Sequence, residues 1–172
     1  ERPMHDMVDL LSRLGVGVQA MERAGHLPLR IEGGPWQAAS LEVGATASSQ
    51  FLSALLLVAP RMPEGLDLHL LEAPTSEPYL LLTIAELQTW GVAVTVEHRG
   101  GHLARITVPP TAIEPRRRVI PADASSALFW ASAAAITPGS SITIPRLRLD
   151  DGQPDANAFH RLAAMGLRMD QG

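Results

Sequence analysis

The sequence predicts an α/β fold built from a repeated βαβαββ unit, and three observations carry that expectation. Self-comparison of the 172 residues shows a period of about 75 positions. Gly15, Gly91 and Gly166 each close an apolar helical pattern, and the first two continue in register through Val16/Val92, Val18/Val94, Gly25/Gly101, His26/His102 and Leu27/Leu103. Stretches of period-2 alternation separate the helical ones, as Leu66, Leu68 and Leu70 do against Asp67 and His69. Ala47-Ser48-Ser49-Gln50 and Ala124-Ser125-Ser126-Ala127 each open an apolar helix at equivalent points of the period.

The elements follow in order. Met4, Met7, Val8, Leu10, Leu11 and Leu14 have helical spacing over 3–14, and Gly15 is the expected stop. Short strands are expected over 16–21 and 27–32, around a turn at Ala24-Gly25, before Gly33-Gly34-Pro35 breaks the pattern. A strand over 39–43 leads into a helix over 48–58, closed by Pro60 and Pro63. A strand over 65–71 with one wet face precedes a second helix, for which Ser76 is the N-cap candidate. Leu80, Leu81, Ile84, Leu87 and Trp90 form its expected buried stripe, and Gly91 its end. A hairpin over 92–96 and 103–108, turning at Arg99-Gly100-Gly101, completes the unit. After a linker at 109–115 come an expected strand over 118–121, a helix over 124–136 capped by Asp123, a strand over 141–145 and a helix over 154–165 ending at Gly166. Three segments result. Residues 1–34 are the end of one repeat, 35–115 a complete repeat and 116–172 an incomplete one, so the repeat series is expected to be cut at both ends.

Composition narrows the function classes. Hydrophobic residues make up 46% and aromatics 4%, enough for a core of Leu, Val, Ile and Ala. No cysteine is present, which removes disulfides, thiolate zinc sites and a cysteine nucleophile, and fits a reducing, cytoplasmic setting. A net charge of -4 argues against nucleic-acid binding, and the longest apolar stretch, 51–60, is too short to span a bilayer. All 14 basic residues are Arg, so no lysine chemistry can come from this chain. His98 and His102 straddle the expected hairpin turn and do not share a helix face, which disfavours a metal site. Arg116-Arg117-Arg118 fits a solvated linker, and Asp150, Asp151 and Asp155 fit a turn and a helix start.

The sharpest constellation is Ser48-Ser49-Gln50 at a helix start, where unpaired N–H groups and the positive end of the helix dipole favour a phosphate. Serines equally cap helices, and the pair alone does not decide between the two. Ser76 opens the next helix and is expected at the same end of the sheet, so three hydroxyls would converge there.

The blocks Pro28-Leu29-Arg30-Ile31-Glu32-Gly33-Gly34, Ser48-Ser49-Gln50-Phe51-Leu52, Ser76-Glu77-Pro78-Tyr79 and Asp123-Ala124-Ser125-Ser126-Ala127 resemble, in order and spacing, the 5-enolpyruvylshikimate-3-phosphate synthases. The resemblance implies the inside-out α/β barrel of the enolpyruvyl transferases, with shikimate 3-phosphate and phosphoenolpyruvate as substrates and no cofactor. By this resemblance Ser48, Ser49 and Ser76 hold the shikimate phosphate and Gln50 lies between the substrates. Arg2 contacts the phosphoenolpyruvate side, and Tyr79 lies beside the shikimate. The family's catalytic lysines and acid/base carboxylates have no counterpart in this chain, so no residue here is expected to be catalytic and the isolated chain is expected to be inactive. Two positions depart from the family pattern, Ala122 where many members carry Gly, and Glu77 where the residue is often basic. The alternatives are a non-catalytic binding or assembly module that keeps the fold, or a fragment of another enolpyruvyl transferase. Under every one of these readings, self-association through uncovered repeat faces is expected.

Overall fold

The computed structural model describes residues 3–37, 39–44 and 48–170. It divides into two compact units, Glu1–Glu114 and Pro115–Gly172. In the first, helix α1 (His5–Arg13) precedes an antiparallel hairpin of β1 (Gly17–Ala20) and β2 (Leu29–Glu32), paired from Gly17↔Glu32 to Ala20↔Leu29. Then come β3 (Ser40–Val43), α2 (Ser49–Val58), a 3₁₀ turn (Ala59–Arg61), β4 (Leu66–Leu70), α3 (Glu77–Thr89), β5 (Thr95–Arg99) and β6 (His102–Val108). The sheet order is β3-β4-β6-β5, with β3 parallel to β4 and the other two pairings antiparallel. This is the βαβαββ arrangement expected from the sequence.

The alternation along β4 explains how that sheet is covered. Leu66, Leu68 and Leu70 face a core shared with Leu41 and Val43 of β3, Leu103, Ile106 and Val108 of β6, Leu52, Leu55 and Leu56 of α2, and Leu80, Ile84 and Leu87 of α3. Burying each such side chain fully is worth about 1.5–3 kcal/mol. Gly65 leads into β4 at φ +71, and a Cβ there would meet the Val108 carbonyl oxygen at 2.2 Å. Only glycine lets β4 approach β6 at this point. On α3 the buried stripe is narrower than expected, because Leu81 is 41% exposed. One residue on from Leu80 is about 100° around the helix, off the core-facing line of Leu80, Ile84 and Leu87. Trp90 is half-buried, and its indole N–H donates to Glu86 at 2.8 Å.

Two other expectations need correction. Val92 and Val94 are buried in the core, but the ladder begins only at Thr95, so the strand expected over 92–96 is mostly an unpaired approach to β5. Packing fixes these valines, and the Gln88 side chain satisfies the Val94 carbonyl at 3.0 Å. In the second unit, α4 (Ala124–Ala135) and α5 (Ala156–Ala164) form as expected, around a small core of Ala124, Ala127, Ala131, Ala156 and Phe159. The strands expected over 118–121 and 141–145 do not form among the described residues, although Ala122 N–H donates to the Arg146 carbonyl at 2.9 Å. In the first unit the corresponding parallel pair has β6 along the open edge of β4. Without such a third strand, a two-stranded parallel ladder is marginal in water.

Candidate phosphate site at two helix starts

The parallel pairing of β3 with β4, ending at Val43↔Leu70, fixes where the chain emerges from both strands. Helices α2 and α3 therefore begin at one end of the sheet. They pack side by side, tied by a hydrogen bond from Thr83 Oγ1 to Ser53 Oγ at 3.0 Å. The first turns of both helices thus face the same edge.

The two starts differ in detail. Ser48 is the N-cap of α2 in extended backbone (φ -156, ψ 127), and its Oγ accepts from Gln50 N–H at 3.2 Å. Its hydroxyl proton remains available to donate. Ser49 is buried, at 6% exposure, whereas Gln50 is exposed. The first turn of α2 carries no acidic side chain that would offset the positive end of its dipole, whereas that of α3 has Glu77.

Ser76 holds the N-cap position of α3 but is not the side-chain cap expected from the sequence. It lies in the left-handed region (φ 56, ψ 46) and makes no capping hydrogen bond through its hydroxyl. The reason lies in the next three residues. Pro78 supplies no N–H, and the Tyr79 N–H is taken by the Ser76 carbonyl at 3.0 Å, so neither usual target of a capping oxygen is available. Ser76 is exposed, and so is Tyr79, at 41%, in the first turn of α3. Arg2 lies outside the described residues.

The start of α4 offers a contrast within the same chain. There Asp123 accepts from the N–H groups of Ser125 and Ser126 at 3.1 and 3.3 Å, and the Ser126 hydroxyl also donates to it. These bonds, led by that from the Ser126 side chain, lower the Asp123 carboxyl below its ordinary range. Ser125 Oγ donates to Asp155 at 2.6 Å, and Ala124 N–H to the Gln153 side chain at 2.7 Å. Carboxylates already occupy this helix start, and they would repel an anion there.

Sequence reasoning missed a second polar cluster, on the wet face of the four-stranded sheet. Arg105 grips Asp67 with two N–H groups at 2.9 Å each and reaches Glu97 at 3.2 Å, while Thr107 Oγ1 donates to Asp67 at 3.2 Å. His69 Nε2 lies 3.0 Å from the same carboxylate. The Arg105 guanidinium chiefly, with help from His69 and Thr107 and against the effect of burial, brings the Asp67 carboxyl from 3.8 down to about 2, and Arg105 is raised in turn. Asp67 and Arg105 lie 38 positions apart. The signal that finds them is register, because Asp67 pairs with Thr107 and His69 with Arg105. These groups satisfy one another, so the cluster holds the sheet together and offers no open ligand position. Among the described residues there is no group of three or more His, Cys, Asp or Glu placed to hold a metal ion, and no helix long and apolar enough to cross a membrane.

The whole chain, residues 1–172, matches the family model of EPSP synthase (3-phosphoshikimate 1-carboxyvinyltransferase). Among curated proteins it is 35% identical over 174 residues to the pentafunctional AROM polypeptide of Scheffersomyces stipitis and 37% identical over 175 residues to that of Malassezia globosa. It is 36% identical over 176 residues to pentafunctional AROM polypeptide 2 of Lodderomyces elongisporus. Each match takes in 99% of this chain and 11% of the relative, so the chain spans about a tenth of the length of the relatives it matches. On the strength of the full-length family match and the βαβαββ arrangement, the chain belongs to the EPSP synthase family.

Proposed function

We propose that this chain supplies the part of an enolpyruvyl transferase that grips shikimate 3-phosphate through its phosphate, with phosphoenolpyruvate as the second substrate. The observation that carries the reading is the pair of helix starts at one sheet end, with Ser48 and Ser49 opening α2 and Ser76 opening α3. Helix-start amides and hydroxyls hold a phosphate dianion by charge-assisted hydrogen bonds, which fixes the cyclohexene ring and aims its 5-hydroxyl. In the proposed reaction the 5-hydroxyl gives up its proton as its oxygen bonds to the enolpyruvyl carbon, and the methylene gains a proton to become a methyl group. The C–O bond to phosphate in the resulting tetrahedral intermediate then breaks as the methyl group loses a proton, which restores the double bond and leaves the enol ether. Gln50, exposed in the first turn of α2, lies between the substrates in this reading; Tyr79 flanks the ring, and Arg2 meets the phosphoenolpyruvate side. Proton transfer falls to groups outside this chain, which has no Lys. We place the protein in the cytoplasm, in keeping with its lack of cysteine.

Three or four such bonds contribute roughly 1.5–3 kcal/mol each, against at least about 4 kcal/mol of lost freedom. With no cations added from outside the chain, a dissociation constant near 1 mM, about 4 kcal/mol, is the expected result. Amide NMR of the chain titrated with shikimate 3-phosphate tests this. Shifts should centre on 48–51 and 76–79 and disappear in the Ser48→Ala/Ser49→Ala variant. Shifts confined to other regions, or unchanged in that variant, would reduce the serines to helix caps.

A second reading, association between copies, is favoured by α4, whose Phe129 and Trp130 are 79% and 65% exposed. Burying such aromatics against a partner is the ordinary way a soluble chain covers them.

A further inference from the structure

Ser76 is one of two residues other than glycine with positive φ among the described residues, the other being Arg146. A left-handed conformation at a residue bearing a Cβ costs about 1 kcal/mol or more and persists only where its surroundings hold it. The hydroxyl of Ser76 does not do so by capping α3. The next residue does reach out. The carboxylate of Glu77, with 18% of its side chain exposed, accepts the backbone N–H of Leu103 at 3.1 Å, and one of its oxygens lies 3.6 Å from His102 Nδ1. The β4–β6 pairing ends at His69↔Arg105, and Leu103 lies two residues beyond it in β6. Glu77 therefore joins the first turn of α3 to β6 just past the last residues it pairs with β4, 26 positions away in sequence.

We infer that Glu77 is a positioning residue. By fastening the first turn of α3 to β6, it holds Ser76 in the left-handed conformation that presents its hydroxyl at the sheet end shared with Ser48 and Ser49. The role in ligand binding rests on the phosphate-site reading above, whereas the hold on the Ser76 backbone does not. This accounts for an acidic side chain at a helix start proposed to receive an anion, since the carboxylate is turned to Leu103 and His102.

The test compares the wild-type chain with Glu77→Ala, Glu77→Gln and Glu77→Asp. Without ligand, the strong intraresidue N–H to Hα NOE of a positive φ is read at residue 76. The inference expects it in the wild type and in Glu77→Gln, whose amide oxygen still accepts from Leu103. It should be lost in Glu77→Ala and in Glu77→Asp, which is one methylene too short, while the amide shifts of α2 and β4 stay unchanged. Glu77→Asp keeps the charge and most of the packing, so it decides the question if Glu77→Ala fails to fold. Persistence of the positive φ in Glu77→Asp overturns the inference. With shikimate 3-phosphate added, Glu77→Ala or Glu77→Asp should weaken binding about tenfold and Glu77→Gln should restore it. Equal binding by all three variants overturns the positioning role. An indifferent Ser48→Ala/Ser49→Ala variant overturns the phosphate-site reading instead, so the two failures are distinguishable.

Discussion

Ser48 and Ser76 look alike in the sequence, each opening an apolar helix, yet only Ser48 caps its helix through the side chain. The difference is Pro78, which deletes the N–H that a capping oxygen at Ser76 would need. Asp67 shows how a residue's environment becomes a measurable quantity. Its carboxyl, held down to about 2 chiefly by the Arg105 guanidinium, contributes stability that is fully present above the unfolded value near 3.8. That stability is lost as pH falls through about 2. Because the pair is partly exposed, the contribution is put at about 1–2 kcal/mol. Asp67→Asn should therefore lower the unfolding free energy by about that amount at pH 7. The gap between the variant and the wild type should close as pH falls from 4 toward 2. Denaturant titrations of both proteins at several pH values check this, and a gap that is constant with pH would contradict it.

At the scale of elements, much of the fold was legible in the sequence, because local pattern and local breakers agree. Leu66, Leu68 and Leu70 alternate over β4, and Gly91 and Gly166, both at positive φ, mark the ends of α3 and α5. Asp123 was expected to cap α4 and does so. Removing it in Asp123→Ala should cost the second unit about 1 kcal/mol, with α4 fraying first, as helical amide exchange would report. Elements that need a distant partner were not legible. Residues 118–121 and 141–145 have strand composition, but a strand exists only in a ladder, and the described residues offer no third strand to complete one. The candidate site divides in the same way. Helix-start serines can be found in a sequence, whereas the Glu77–Leu103 bond depends on how α3 packs on the sheet and the Asp67–Arg105 pair on cross-strand register.

For the molecule as a whole, the two units have unequal cores. The first is filled by fully buried leucines such as Leu14, Leu56, Leu68 and Leu80, and the second by three alanines of α4 packed with Ala156 and Phe159 of α5. Stability scales with buried apolar area, so the second unit should unfold first. Amide exchange should show β4, β6 and α2 outlasting α4 and α5, and a single coincident transition by every probe would rule out this order of unfolding. Leu68→Ala should cost the first unit about 2–5 kcal/mol and leave exchange in α4 and α5 unchanged. Light scattering tests association through the exposed face of α4, where a dimer is expected and Trp130→Ser should weaken it. A chain that is monomeric at high concentration would remove that reading. With no lysine of its own, the isolated chain should release no phosphate from the two substrates above background. Turnover at about 1 per second or faster would overturn the division of labour proposed here.

A crystal of this chain soaked in shikimate 3-phosphate shows whether the start of α2 receives the substrate phosphate. Phosphate density is expected within hydrogen-bonding distance of Ser48 and Ser49, with Ser76 on its other side and none at the carboxylate-filled start of α4. Density at another location, or the same density in the Ser48→Ala/Ser49→Ala variant, would contradict it.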